Sequence, residues 1–279
     1  MTKTWFITGC STGLGRALCE TLLSETNHQV VVTARKKADI EDFEKRHADR
    51  VLCLSLDVCK DDQAKAAVNA AIDRFGKIDV LVNNAGIGYF SALEEADEDA
   101  VRNMFEINVF GLDRMTRLVL PHMRAKRSGR ILNIASIAGM IGYPAISHYN
   151  ATKFAVVGLT ESLNKEVSPL GIHAISICPS GFRTDWAGRS AIETPSKLED
   201  YRETAEKNRR AIREMSGNQP GDPVAAARAM IAVANLEQPP GHLMLGAAAV
   251  KNSKDKLDRL KAEIELYEQW GIEADQPKK

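Results

Sequence analysis

Tyr149 and Lys153 stand four residues apart in Tyr149-Asn150-Ala151-Thr152-Lys153, a spacing that puts both on one face of a helix. A free phenol titrates near ~10 and transfers protons poorly at neutral pH. An ammonium beside it stabilises the phenolate and lowers that value, which makes a tyrosine useful for proton transfer. Such pairs also arise by chance, so the reading depends on what surrounds this one.

A second motif, Thr8-Gly9-Cys10-Ser11-Thr12-Gly13-Leu14-Gly15, follows the strand-like run Trp5-Phe6-Ile7-Thr8 and opens a helical pattern at Leu14, Leu18 and Leu22. Glycines there permit a tight turn and close approach of a pyrophosphate to the backbone. The helix N-terminus then offers unpaired N–H groups and the positive end of its dipole. The spacing is Gly-x-x-x-Gly-x-Gly, so its place between strand and helix gives it more weight than the glycines alone. After the second strand the chain reads Thr33-Ala34-Arg35-Lys36-Lys37, with no acid before Asp39. An acid at that point favours the ribose 2′-hydroxyl of NAD, whereas a guanidinium favours the 2′-phosphate of NADP. Arg35 therefore predicts NADP(H) in preference to NAD(H).

The elements that must position these groups alternate along the chain. Strand-like runs occupy Gln29–Ala34, Val51–Leu56, Asp79–Val82, Arg130–Ala135 and His173–Cys178 after the first at Trp5–Thr8. Helical patterns lie between them at about Ala38–His47, Asp61–Phe75, Asp97–Lys126 with a bend near Gly111, and Tyr149–Val167. Uniformly apolar strands separated by helices predict a parallel sheet covered on both faces, the doubly wound α/β architecture. Leu257, Leu260, Ile264, Tyr267 and Trp270 recur at helical spacing, so a last amphipathic helix is expected, packed on the body or on another subunit.

Composition excludes several classes. The 279 residues suit one large domain, and 44% hydrophobic content is ordinary for a globular chain. Lys+Arg and Asp+Glu both number 37, so no net field draws the chain to nucleic acid or an anionic membrane. No apolar run is long enough to span a bilayer, and the N-terminus does not read as a signal peptide. Five cysteines without a Cys-x-x-Cys pair suit buried, reduced thiols and a cytoplasmic location. No metal-ligand spacing is present.

Together these motifs resemble the short-chain dehydrogenase/reductase family, from about Lys3 to Gly246. The resemblance implies a single Rossmann-type doubly wound sheet of about seven parallel strands with helices on both faces, over residues 1–250. Residues 251–279 then form a C-terminal amphipathic helix and tail. It makes Asn108, Ser136, Tyr149 and Lys153 a catalytic tetrad for hydride transfer between a nicotinamide and a carbonyl or alcohol. Tyr149 is the proton donor, Lys153 tunes it and binds the nicotinamide ribose, Ser136 polarises the substrate oxygen, and Asn108 holds a relay water. Cofactor contacts are implied at Thr8, Gly9, Ser11, Thr12, Gly13, Leu14 and Gly15, at Arg35, and at Asp57 and Val58 for adenine. They continue at Asn83, Ala85 and Gly86, in a motif that stabilises the sheet and lines the adenosine ribose, and at Pro179, Ser180, Phe182 and Thr184 at the nicotinamide carboxamide, with a core position as the alternative for Phe182 and Trp186. Ser180 departs from the glycine usual there. Ser136, Ala138, Ile141, Tyr143, His148 and Trp186 are expected to wall a pocket for a small to medium hydrophobic substrate, under a lid formed by about Asp185–Ser216. Phe182-Arg183-Thr184-Asp185-Trp186 and Gly217–Pro223 look most like the 17β-hydroxysteroid-dehydrogenase-like group. Relatives pair through the long helix and the tyrosine helix, so a homodimer or homotetramer is expected. The alternative is a non-catalytic NADP-binding regulatory module, which would not need all four catalytic groups.

Overall fold

A computed structural model describes residues 2–188, 191–194 and 196–275. Strand β1 (Thr4–Ile7) is buried along its whole length, because successive side chains enter opposite faces of the sheet. Trp5 and Ile7 join Leu18 and Leu22 of α1 (Gly13–Glu25) and Val30 and Val32 of β2 (Gln29–Ala34) on one face. Phe6 and Val31 lie on the other face, with Ala64 and Ala67 of α3 (Asp61–Phe75). Between these elements run α2 (Glu41–Arg46) and β3 (Val51–Ser55), and β4 (Val80–Asn83) follows α3.

Beyond β4 come β5 (Gly88–Phe90), α4 (Glu98–Phe105), α5 (Leu112–Lys126), β6 (Gly129–Ile134), α6 (Ser147–Val167) and β7 (Ile172–Pro179). The chain finishes with β8 (Ala191–Glu193), α7 (Lys207–Glu214), α8 (Pro223–Asn235), β9 (His242–Leu245) and α9 (Ala247–Glu273). Seven strands form one parallel sheet in the order β3-β2-β1-β4-β6-β7-β9, and β5 pairs with β8 in a separate two-stranded ribbon. The strand order reverses on either side of β1, so the carboxyl ends of β1 and β4 border the crevice where open α/β sheets hold ligands.

One element departs from the sequence reading, and the structure sharpens two others. The charged helix expected over 38–47 is a single turn at Lys37–Asp39 followed by α2, because fully buried Ile40 has left helical geometry (φ −135°) to reach the core. The long helix bends where expected, and the bend is a wider, π-type stretch over Glu106–Gly111 between α4 and α5. Gly111 packs there so closely that a Cβ would lie 2.6 Å from Val58 Cγ2. The final helix does not pack on the body beyond its first turns. Ala249 and Ser253 are buried, whereas every residue from Leu257 to Glu273 is exposed.

Candidate active site

Tyr149 and Lys153 occupy the first two turns of α6, and both are buried. The Lys153 ammonium lies 5.6 Å from the centroid of the Tyr149 ring and donates a hydrogen bond to Ile134 O at 2.8 Å. This geometry corrects the simple reading of the pair. Burial pushes the Tyr149 phenol well above its ordinary value, and a hydrogen bond with Ser136 draws it only part of the way back. Burial likewise brings the Lys153 amine down to about 8, against a smaller upward pull from Cys178. Loss of water disfavours both charged forms, so the phenol stays protonated at neutral pH, the form able to donate.

Ser136 follows β6, and its hydroxyl also accepts from Ala138 N at 3.1 Å. Asn108 lies in the π-type stretch and is buried. Its Oδ1 accepts from Ile87 N at 2.9 Å, while Nδ2 donates to Ile87 O at 3.0 Å and to Thr152 Oγ1 at 3.2 Å. Gly86 sits between the two groups: a Cβ there would lie 3.1 Å from Asn108 Oδ1 and 3.8 Å from Lys153 Nζ. The tetrad residues are thus gathered, but the Asn108 side chain is taken up by backbone and by Thr152.

The wall beside Tyr149 is aromatic. The Trp186 ring packs against the Tyr149 ring at 4.9 Å between centroids and meets Phe90 edge-on at 5.7 Å. Ala138 and Tyr143 join the same apolar cluster, with Ile146 and Met104. His148 is half-buried, and burial holds its imidazole below the ordinary value. Ile141 is also half-buried. Ala145, two residues before the helix, is in the left-handed region (φ 66°), a conformation costing about 1–2 kcal/mol without glycine. Ser91 N holds it by donating to its carbonyl at 2.9 Å.

The expected lid is clasped over this wall by contacts no local pattern announces. Arg209 and Arg213 pair with Glu193 at 2.7 and 2.9 Å, and the Arg213 guanidinium sits 4.8 Å from the Phe90 ring centroid. The Glu95 carboxylate accepts from Lys197 N and Leu198 N, and Asn208 donates to Pro144 O at 2.7 Å. Arg189, Ser190 and Pro195 of this segment lie outside the described residues.

The glycine turn is built differently from the expectation. Asn84 Nδ2 donates to Thr8 O and Gly9 O, both at 2.8 Å, and Thr8 Oγ1 accepts from the N–H groups of Asn84 and Ala85. A Cβ on Gly15 would lie 2.4 Å from Asn84 Nδ2, and one on Gly9 would lie 2.9 Å from Ala85 Cα. Those two glycines therefore let the turn dock on the loop after β4. Gly13 takes φ +64° at the mouth of α1, opposite Thr184.

Two cofactor assignments fall elsewhere. Asn83 is buried inside the sheet, where Nδ2 donates to Thr116 Oγ1 at 3.0 Å and to Asn133 Oδ1 at 2.8 Å, so it ties strands to helices rather than facing a ligand. Phe182 is a core residue beside Ile177 and Leu245, with Gly221 pressed against its ring. The Ser180 hydroxyl turns to Leu245 O at 3.2 Å and fills the space left by Gly246. Val58 packs on Gly111, and its carbonyl accepts from Arg114 at 2.6 Å. Pro179 ends β7, with Leu245 as its neighbour across the sheet.

The residues present fit a dinucleotide. No side chain caps α1 and no acid occupies its first turn, which leaves its N–H groups and dipole for an anion. Ser11, Thr12 and Leu14 surround that opening, and Thr12, Gly13, Arg16, Arg183 and Thr184 line one cleft together with the acids Glu20 and Asp185. Arg35 is exposed at the end of β2, and its guanidinium makes no hydrogen bond or ion pair among the described residues. Asp57 stands beyond β3, its carboxylate accepting from Cys59 N at 3.0 Å. Among the described residues no His, Cys, Asp and Glu cluster suits a metal, and no helix is long and apolar enough to cross a membrane.

Known proteins share this architecture. An oxidoreductase of Botryotinia fuckeliana is 35% identical over 273 residues, covering 98% of this chain and 99% of its own. A 3-ketodihydrosphingosine reductase of Bacteroides thetaiotaomicron is 39% identical over 196 residues, 70% of each chain. The crystal structure of a short-chain dehydrogenase from Streptomyces avermitilis superposes with a TM-score of 0.92 at 35% identity, over 99% of this chain and 100% of that one. The family model for short chain dehydrogenase matches residues 3–194, and with the sheet order, the glycine turn and the gathered tetrad it establishes that this chain belongs to the short-chain dehydrogenase/reductase family.

Proposed function

We propose that the chain is an NADP(H)-dependent oxidoreductase that interconverts a ketone or aldehyde with its alcohol on a small to medium hydrophobic substrate. The observation that carries this reading is the buried Tyr149 phenol, bonded to Ser136 and walled by Trp186, with the Lys153 amine 5.6 Å from its ring. A nicotinamide dinucleotide, when bound, supplies or accepts the hydride.

The chain's own residues do the rest. In reduction the Tyr149 hydroxyl donates its proton to the substrate oxygen as negative charge develops there. The high proton affinity that burial gives it keeps it in the donating form. Ser136 donates a hydrogen bond to the same oxygen. Lys153, at about 8, exchanges protons near neutral pH and can restore the one Tyr149 gives up. Asn108 fixes Ile87 and Thr152 and so acts as a positioning residue. Trp186 and the Glu193 clasp shut bulk water from the phenol.

On the cofactor side, the α1 N-terminus and the turn Ser11–Leu14 hold the pyrophosphate, Asp57 the adenine, and Arg35 a 2′-phosphate. The unpaired Arg35 guanidinium supports NADP. Solved relatives include an ElxO with NADP bound, 26% identical, and a Brucella melitensis 3-ketoacyl-(acyl-carrier-protein) reductase with NADH, 28% identical. Free thiols at all five cysteines suit the cytoplasm. Exposed Phe110 and Phe154, on the long helix and the tyrosine helix, suit a homo-oligomer through those faces.

The test is NADPH and NADH oxidation against aromatic ketones, diketones, quinones and steroids. Turnover is expected with NADPH and at least one hydrophobic carbonyl. Tyr149→Phe is expected to lower kcat by ~10³-fold or more while NADPH affinity stays within about twofold, since only the proton donor is lost. Substantial residual turnover in that variant would contradict the assignment.

A further inference from the structure

Helix α9 leaves the body after Ser253 and runs to Glu273 with no covering contact. At ~1.5 Å per residue this arm is about 30 Å long. Leu257, Ile264 and Trp270 are 55, 60 and 74% exposed, an apolar stretch of the kind that marks an interaction surface. Leu266, Trp270 and Ile272 are exposed apolar residues off any single line, but four others form one. Leu257, Leu260, Ile264 and Tyr267 alternate spacings of three and four, the seam of a coiled coil rather than the broader face that packs on a globular core.

The charges beside the seam select the partner. Lys254, Lys256 and Lys261 flank its first half, and Glu263 and Glu268 flank its second. A parallel pairing of two such helices would set Lys256 against Lys261 and Glu263 against Glu268, each contact occurring twice. An antiparallel pairing lays the basic half of one copy along the acidic half of the other. Leu257 then meets the second copy's Tyr267, Leu260 meets its Ile264, and Lys254 reaches its Glu268. Lys261 and Glu263 each face their own copy at the centre, and the Lys261 ion pair with Glu265 at 3.7 Å relieves part of the first repulsion, so this pairing keeps two like-charge contacts against four in the parallel one. The contact is isologous, so it closes as a two-fold and does not propagate.

We infer that α9 is a dimerisation arm whose occupant is the α9 of a second copy of this chain, paired antiparallel through Leu257, Leu260, Ile264 and Tyr267. The arm adds a contact separate from the faces bearing Phe110 and Phe154, and it does not depend on the catalytic reading.

Disulfide trapping on the full chain reads the pairing directly, with peptide mapping to locate the bond. Leu257→Cys chains mixed with Tyr267→Cys chains should cross-link to each other, and neither should cross-link to itself. Hydrogen exchange supplies the second measurement. Amides over 257–273 should be protected in the wild-type chain and exchange at least tenfold faster in Leu260→Lys/Ile264→Lys, a change on exposed positions that leaves the body folded. Cross-linking of either cysteine variant to itself would show parallel pairing and overturn the inference. So would protected amides without a cross-link in the mixture, which would mean the arm docks on a body. Equal exchange in wild type and variant would show an unpaired arm and overturn it as well.

Discussion

Gly15→Ala tests how the nucleotide turn is held. The added methyl would lie 2.4 Å from Asn84 Nδ2 and 2.6 Å from Gly9 O, and Gly9 O is main chain that cannot swing away. Two outcomes follow from the contacts. If the turn yields, overpacking costs about 1–3 kcal/mol. If Asn84 yields, its bonds to Thr8 O and Gly9 O are lost, at about 1 kcal/mol each. Against either stands a gain of up to ~1 kcal/mol from alanine over glycine inside a helix. The net loss is about 1 kcal/mol, which lowers Tm by roughly 2–4 °C in a chain of this size. The assay is a thermal melt beside NADPH titration by fluorescence. The pyrophosphate turn moves with the clash, so affinity should fall by roughly tenfold (1.4 kcal/mol). Asn84→Ala alone should cost a similar amount. Gly15→Ala/Asn84→Ala should lose about 1 kcal/mol less than the sum, because the nearest clashing atom is gone. Full additivity, or a Gly15→Ala chain that melts and binds like wild type, would refute the docking role given to Gly15.

Two further outcomes can be measured. Arg35→Asp should reverse the preference from NADPH to NADH in kcat/KM, since the 2′-phosphate would meet a like charge; an unchanged ratio removes Arg35 from phosphate recognition. Lys153→Met should raise stability at neutral pH. The folded Lys153 titrates at about 8 and the unfolded one near 10.5, so between those values the unfolded chain holds more protons and wild-type stability rises with pH. The advantage of Lys153→Met, on the order of 2 kcal/mol at pH 7 after loss of the bond to Ile134 O, should therefore shrink by pH 10.5. Urea titrations across that range check it, and a pH-independent difference would show that burial does not depress the amine.

The order of elements and the clustering of the candidate catalytic residues were legible because they are written locally. Val30-Val31-Val32 and Leu81-Val82 carry strand character in their own side chains, and Ser136, Tyr149 and Lys153 stand at strand and helix ends that the pattern locates. Asn83 plays the sheet-stabilising part of its motif, because it ends β4 with its amide bonded to Thr116 and Asn133. Phe182, an aromatic whose type suits pocket wall and core alike, lies in the core. The grip of Trp186 on Tyr149, the hold of Arg209 and Arg213 on Glu193, and the docking of Asn84 on Gly9 join positions far apart along the chain. Single-chain periodicity carries no record of such contacts.

The π-type stretch at Glu106–Gly111 sets the phase between two networks that never touch. Asn108 reaches Ile87 and Thr152 from within it, and eight residues later Thr116 must present its hydroxyl to Asn83 inside the sheet. Removing a single residue here would restore regular helix and rotate everything after it by about 100°. Either the amide or the hydroxyl would then face away from its partner. The stretch is therefore intolerant of length change even where its individual side chains are replaceable. Insertions and deletions among relatives should avoid it while falling freely in the turns on either side.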